Sequence, residues 1–253
     1  MSKFKVILFD FGSTLIYPKA PWPPFYAQAD QALVERLQQS GIPLDNKAFS
    51  SEGETFLDAY IARWGANITE KTTFSFLSEL LEQKGFQNIP ASVIRSALDG
   101  LYSITQQNWV LEADAIPTLK TLREKGYRLG MISNTTDDKN VRQLLDREEL
   151  RPYFENILTS AACGFRKPDE RIFQLALDYF RIPPEQAVMV GDTLEADILG
   201  ANRTGMYSIW ITRRVQLPEE GELTIQPQAV ITTLDQIPGL LAEVANDSPW
   251  SPQ

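Results

Sequence analysis

The sequence predicts an α/β protein built on a parallel sheet, with an inserted all-helical domain. From residue 114 onward, helical and strand-like patterns alternate, which is typical of parallel strands joined by helical crossovers. Residues 18–109 show helical patterns without a clear strand, so they are predicted to form a separate domain. The predicted core comprises residues 1–17 and 110–246, and residues 247–253 are predicted to be a disordered tail.

The elements of the predicted core follow from apolar runs and helical periodicity. An apolar strand at residues 4–9 precedes the insertion. The later strands are predicted at residues 127–132, 156–159, 187–190, 207–211 and 229–231. The helices are predicted at residues 114–125, 137–149, 169–180, 195–203 and 234–244. This order implies right-handed βαβ units and a parallel sheet.

The insertion begins with a connector rich in proline and aromatic residues at 17–25. In this connector, Trp22 and Phe25 either pack against an apolar or ring-shaped substrate or anchor the segment to the helices. Helical patterns then follow, interrupted by glycines that typically end helices. They cover residues 26–40, 46–64, 69–84 and 91–108.

The composition excludes several classes of function. The net charge of −9, with no basic cluster, disfavours nucleic-acid binding. No apolar run reaches the roughly 20 residues of a membrane span, and the N-terminus lacks a signal-peptide pattern. The single cysteine, Cys163, fits a reducing compartment, so a cytoplasmic protein is predicted. Because the chain has no histidine, acid–base chemistry falls to carboxylates, lysine, tyrosine or water.

Polar side chains suited to phosphate and metal follow several predicted strands. Ligand sites of open α/β sheets form at the carboxyl ends of the strands, so these side chains are expected to converge. Two carboxylates beside Asp10 would repel one another unless a cation lay between them, and hard oxygen ligands with a phosphate suit Mg²⁺. The candidates are Asp10 in the turn DFGSTL at residues 10–15, Ser133, Lys167, Asp192 and Asp197.

Taken alone, all of these candidates except Asp192 also have an ordinary structural interpretation, as do the neighbouring Thr14 and Asn134. Asp10 and Thr14 are compatible with turn formation, and Ser133 with capping the helix near residue 137. For the others, the alternatives are a turn residue (Asn134), a solvated loop lysine (Lys167) and a first-turn charge favoured by the helix dipole (Asp197).

In this order and strand context, the candidates resemble the four motifs of the haloacid dehalogenase-like hydrolase superfamily. The resemblance covers residues 4–212 and implies a Rossmann-like core with a mobile helical cap of the C1 type at 18–109. It is carried by Asp10 with Thr14, by Ser133, by Lys167, and by Asp192 with Asp197.

The resemblance implies a role for each matching residue. Asp10 would attack phosphorus and form an aspartyl-phosphate. Ser133 and Lys167 would bind the phosphoryl oxygens, with Thr14 and Asn134 as further substrate-binding residues. The metal site implied for Mg²⁺ consists of Asp10, the backbone carbonyl of Gly12, and Asp192, with Asp197 orienting the metal's shell or Lys167.

Gly12 departs from the family pattern. Active phosphatases of this family usually carry a second aspartate two residues after the nucleophile, where it acts as general acid and base. Such a group contributes roughly 10²–10⁴-fold to the rate, so turnover is expected to be slow, restricted to good leaving groups, or absent.

Three functions remain open at this stage. The leading hypothesis is a Mg²⁺-dependent phosphatase acting on a small phosphorylated metabolite. The second is a catalytically weak homologue that binds a phosphorylated ligand or a protein partner. The third is a haloacid dehalogenase, since those relatives also lack the second aspartate, although they need no metal.

Overall fold

The computed structural model describes residues 3–44, 55–64, 70–217 and 224–246, and the chain divides into two compact units. The first, here called the sheet unit, consists of Met1–Tyr17, Leu111–Asn134 and Leu145–Gln253. The second, the helical unit, consists of Pro18–Val110 and Thr135–Leu144. Within the described ranges, no helix combines the length and apolar character that crossing a bilayer demands.

The sheet unit is built on a six-stranded sheet in which every recorded strand pair is parallel. The strands are β1 (Val6–Phe9), β4 (Arg128–Ser133), β5 (Asn156–Thr159), β6 (Ala187–Gly191), β7 (Tyr207–Ile211) and β8 (Ala229–Ile231). Their order is β5-β4-β1-β6-β7-β8, so β1 lies between β4 and β6. This sheet confirms the predicted fold class.

Helices of the sheet unit cover the sheet and bury its apolar strands. They are α5 (Ala115–Glu124), α7 (Ser160–Cys163), α8 (Glu170–Phe180), α9 (Leu199–Thr204) and α10 (Ile237–Asn246). Phe173 and Leu177 of α8 pack with Val6 of β1 and Met189 of β6 in one buried cluster. Strands buried on both faces read as continuous apolar runs, which is the pattern of β1 and β6.

The helical unit has its own apolar core. It contains α1 (Pro23–Gln39), α2 (Phe56–Trp64), α3 (Thr73–Gln83), α4 (Ala91–Thr105) and most of α6 (Asp138–Arg147). Leu33, Leu77 and Leu101 are fully buried in it. A β-carbon on Gly100 of α4 would lie 2.9 Å from the carbonyl oxygen of Ala32 of α1, so glycine permits the close approach of these two helices.

Two predictions about the ends of the insertion were wrong. Helix α1 begins at Pro23, inside the predicted connector, because proline is well tolerated in the first helical turn, where its missing N–H costs nothing. In addition, no strand was predicted where the insertion joins the core. Yet Ile16–Pro18 forms strand β2, which pairs with β3 (Trp109–Leu111) in a two-stranded sheet.

Other differences concern short or irregular elements. The helix predicted at 195–203 begins as a π-helical turn, Leu194–Ile198, and becomes α-helical only at α9. Helix α7 was not predicted, since four residues carry no periodicity. The predicted tail at 247–253 and the first part of the predicted helix at 46–64 lie outside the described residues.

Candidate active site

The carboxyl edge of the sheet brings together predicted residues from three adjacent strands. The backbone N–H of Asp10 donates to the carbonyl of Val190 at 2.8 Å. This hydrogen bond extends the pairing of β1 with β6 by one residue beyond the end of β1. Ser133 is the last residue of β4, and Asp192 directly follows β6. Because β1 lies between β4 and β6, these three side chains begin from one edge, as predicted from the strand ends.

Lys167 is a buried cation held by two carboxylates and a backbone carbonyl. Its Nζ lies 2.6 Å from Oδ1 of Asp10 and 2.6 Å from Oδ1 of Asp197, and it donates to the carbonyl of Ile132 at 2.8 Å. Asp10 and the carbonyl of Ile132 accept hydrogen bonds from this ammonium group, and Asp197 forms an ion pair with it. The side chain is 1% exposed, which rules out the alternative interpretation of a solvated loop lysine.

The charge state of Lys167 is set by two opposing effects. Burial lowers the pKa of the ammonium group, but the attraction of Asp10 and Asp197 outweighs it and raises the pKa above its ordinary value. Lys167 is therefore positively charged over the whole physiological pH range. A fixed positive charge at this edge is suited to binding a phosphoryl group.

Three carboxylates crowd around this single lysine. Asp10, Asp192 and Asp197 each offer an oxygen, and these oxygens lie within 4.8 Å of one another. Burial, followed by repulsion from Asp10 and Asp197, raises the pKa of Asp192 to about 7. Burial is also the main cause that raises the pKa of Asp197 to about 6. With one lysine for three acids, the cluster has a surplus of negative charge, and its oxygen donors fit a divalent cation such as Mg²⁺.

Both carboxylate oxygens of Asp197 have partners within the protein. Oδ1 pairs with Lys167, and Oδ2 accepts from the backbone N–H of Thr193 at 3.0 Å. Of the two roles that the sequence left open, orienting the metal's shell or Lys167, this geometry favours the second. The hydrogen bond to Thr193 also ties the carboxylate to the loop that follows β6.

The turn that follows Asp10 is tight. The carbonyl of Phe11 accepts from the N–H groups of Leu15 and Ile16, and Ser13 has a φ of 60°, a left-handed conformation uncommon outside glycine. Thr14 is fully buried, and its hydroxyl has no hydrogen-bond partner in the part of the chain that the structure describes. Substrate contact by Thr14 stays a prediction.

Asp137 takes the structural role that the sequence offered as an alternative for Ser133. Its Oδ1 accepts from the backbone N–H of Asn140 at 2.9 Å and so caps the first turn of α6. Ser133 belongs to β4 and is 5% exposed. The capping interpretation of Ser133 is therefore wrong.

The aromatic residues of the predicted connector pack against each other within the helical unit. The ring of Trp22 stacks on Tyr26 at 5.4 Å and meets Trp109 edge-on at 5.1 Å. The side chain of Asn108 donates to the carbonyl of Ala20 at 2.9 Å and accepts from its N–H at 3.0 Å. These contacts support the interpretation that Trp22 anchors the segment.

Gly191 has a packing role that the sequence did not reveal. A β-carbon there would lie 2.3 Å from Cγ of Asp197, so the carboxylate packs directly on the glycine. In the sequence, Gly191 stands out only as part of the apolar run before Asp192. The contact joins residues six positions apart through a folded loop, and residue spacing alone does not show it.

We expect Gly191→Ala to displace Asp197 and thereby Lys167. Overpacking of this kind costs about 1–3 kcal/mol of unfolding free energy, and activity should fall because the charged groups shift. Chemical denaturation and steady-state kinetics measure both effects. Gly239→Ala in α10 is the matched control, since a β-carbon there meets nothing within 4 Å. Wild-type activity and stability in Gly191→Ala would contradict the close packing.

Comparison with known proteins identifies the family. A family model described as haloacid dehalogenase-like hydrolase matches residues 4–205. Glyceraldehyde 3-phosphate phosphatase of Pyrococcus furiosus is 29% identical over 238 residues, which cover 94% of this chain and 92% of the relative. The enzyme of the same name from Pyrococcus abyssi is 32% identical, covering 81% of this chain and 80% of the relative.

A solved structure with the same fold is 2-haloacid dehalogenase from Pseudomonas syringae pv. Tomato DC3000. Its TM-score is 0.70 at 24% identity, with 95% of this chain and 99% of that chain covered. The chain belongs to the haloacid dehalogenase-like hydrolases, as the resemblance of its motifs predicted. Within that family it is a phosphoric monoester hydrolase.

Proposed function

We propose that this protein is a Mg²⁺-dependent phosphatase that hydrolyses a small phosphorylated metabolite through an aspartyl-phosphate on Asp10. The observation that carries the proposal is the charge arrangement at the sheet edge. One buried lysine bridges Asp10 and Asp197, and Asp192 completes a group of three carboxylates with surplus negative charge. A phosphoryl group and a divalent cation are together the ligands that such a set would hold.

The proposed reaction has two displacement steps at phosphorus. A carboxylate oxygen of Asp10 attacks phosphorus, a P–O bond forms, and the bond to the leaving oxygen breaks with its electron pair. Water then attacks the acyl phosphate, releasing inorganic phosphate and restoring the carboxylate. Lys167 and the hydroxyl of Ser133 donate hydrogen bonds to the phosphoryl oxygens. They thereby offset the negative charge on these oxygens while bonds to phosphorus form and break.

Asp10, the carbonyl of Gly12 and Asp192 would hold Mg²⁺. When bound, the cation offsets the negative charge of the carboxylates and of the phosphoryl group. Asp197 keeps Lys167 in place between the acids, which is consistent with the 2.6 Å contact on that side.

The substrate class rests on the relatives. Two of them are named glyceraldehyde 3-phosphate phosphatase, and the alignments extend over most of both chains. A small phosphorylated metabolite is therefore proposed as the substrate. The proposal also includes a cytoplasmic location, with the lone cysteine consistent with a reducing compartment.

The test is phosphate release from a panel of phosphorylated metabolites and one aryl phosphate, with Mg²⁺ and with chelator. Turnover that requires Mg²⁺ is the expected result, and the best compound defines the substrate class. In parallel, halide release is measured from a 2-haloacid without added metal. Halide release without phosphate release would replace the proposal with the dehalogenase function.

The metal dependence should itself depend on pH. Because the pKa of Asp192 is raised to about 7 in the metal-free site, a proton occupies this carboxylate below that pH and competes with the cation. The apparent affinity for Mg²⁺ should therefore fall about tenfold per pH unit below 7 and level off above it. The apparent affinity can be measured by titrating activity with Mg²⁺ between about pH 5.5 and pH 8.5. This range extends roughly one to two pH units on either side of the pKa of Asp192. An affinity independent of pH would contradict the arrangement.

Gly12 favours one alternative function. Without the usual acid and base, the site would suit a protein that binds a phosphorylated ligand and turns it over slowly or not at all. Ligand-induced thermal stabilisation without phosphate release is the result that this alternative predicts.

A further inference from the structure

The side-chain amide of Asn134 bonds both polar backbone atoms of Lys167. Its Nδ2 donates to the carbonyl of Lys167 at 2.9 Å, and its Oδ1 accepts from the backbone N–H of Lys167 at 2.8 Å. Two such bonds fix both the distance and the orientation of the backbone relative to the amide. Asn134 directly follows Ser133, the last residue of β4, so its backbone is anchored at the end of that strand.

The ammonium end of Lys167 depends on where its backbone is held. Nζ must reach two carboxylates and the carbonyl of Ile132 together, within an environment that leaves the side chain 1% exposed. A lysine side chain has four rotatable bonds, and a shift at its base moves the charge. A buried charge that loses one partner is costly, so the position of the backbone matters.

We propose that Asn134 is a positioning residue that acts through Lys167, and not a residue that binds the substrate. This inference rests on the proposed phosphatase function for its kinetic consequences. One side of the amide is committed to the Lys167 backbone, and through it Asn134 fixes the charge that faces the phosphoryl group. Substrate contact by the remaining amide hydrogen is the competing role, and the two roles predict different kinetics.

A double-mutant cycle separates the roles. Asn134→Ala should lower kcat by about 10–100-fold, the scale at which small misplacements of reacting groups act, with a much smaller change in KM. If Asn134 acts through Lys167, the same substitution should change kcat less than about twofold in a Lys167→Met background, because coupled residues are not additive. An equal loss in both backgrounds would overturn the proposal and favour direct substrate contact.

Asn202→Ala is the matched control. Asn202 is also half-buried and also lies in the sheet unit, where its amide donates to Gln226 at 2.8 Å and accepts from the hydroxyl of Ser208 at 2.8 Å. Its removal deletes two comparable hydrogen bonds away from Lys167. Both variants should lose stability, and only Asn134→Ala should lose kcat.

A second measurement does not depend on turnover. Acetic anhydride labelling read by mass spectrometry reports the accessibility of Lys167, with the exposed Lys120 as internal reference (68% exposed). Labelling of Lys167 should increase severalfold in Asn134→Ala and stay at the wild-type level in Asn202→Ala. If Asn134→Ala does not fold, Asn134→Gln, which displaces the amide by one methylene, takes its place.

The two measurements keep the inference distinct from the proposed function. Wild-type protein that releases no phosphate would contradict the phosphatase proposal and leave the labelling result to decide the role of Asn134. Unchanged labelling of Lys167 in the folded Asn134 variant would overturn the inference, whatever the wild-type activity.

Discussion

The Asp10→Asn variant is expected to release phosphate at least about 10⁴-fold more slowly than the wild type, the scale on which removing a nucleophile acts in covalent enzymes. An amide oxygen is a poor nucleophile towards phosphorus, so no aspartyl-phosphate would form. The variant should still fold, since Lys167 retains Asp197 and the carbonyl of Ile132 as partners. Phosphate release and thermal denaturation, measured on the same preparation, test both expectations.

Stability distinguishes loss of the nucleophile from loss of the fold. Removing the charge of Asp10 relieves its repulsion of Asp192 and Asp197, which contributes to their raised pKa values, so the midpoint of thermal unfolding in the absence of metal should not fall. Asp178→Asn makes the same chemical change on the exposed face of α8 and should leave activity unaltered. Retained phosphate release in Asp10→Asn would rule out the aspartyl-phosphate mechanism.

The Gly12→Asp variant is expected to release phosphate faster than the wild type, by about 10²–10⁴-fold. The new carboxyl group would supply the general acid and base that the family pattern places two residues after the nucleophile. The gain should be largest for alkyl phosphates, because a poor leaving oxygen must be protonated as its bond to phosphorus breaks. For an aryl phosphate, whose leaving group is stable as an anion, the gain should be small.

Gly12→Asn is the control for this substitution, since asparagine matches aspartate in size and cannot transfer a proton. A gain in both variants would point to a change in the turn at residues 10–15 and not to acid–base chemistry. No gain in Gly12→Asp, with the fold retained, would indicate a site repurposed for binding.

The sequence predicted what depends on strand ends and missed what depends on folded loops. Asp10, Ser133 and Asp192 each follow an apolar run, and the carboxyl edge of a parallel sheet gathers such residues whatever the intervening chain does. The bonds of Asn134 to Lys167 join segments 33 residues apart, and the packing of Asp197 on Gly191 depends on a π-helical turn. Neither contact is reflected in a periodic or compositional pattern of the sequence.

The fold shows the same division. The sequence predicted the five later strands of the sheet because strand-like runs alternate regularly with helical patterns from residue 114 onward. It missed β2 and β3, which have three residues each and lie beside prolines and a helix end. The predicted start of α1 is too late, because the prolines before residue 26 indicate a connector in the sequence. In the structure, two of these prolines occupy the first turn of the helix.

The crowding of three acids around one lysine has a consequence for the lifetime of the protein in a cell. A folded state that must hold surplus negative charge at one edge is less stable without a cation than with one, and a ligand that binds only the folded state protects it by mass action. Under the proposed Mg²⁺ binding, a cell short of this cation would lose both the activity and, through proteolysis of the more frequently unfolded chain, the protein itself.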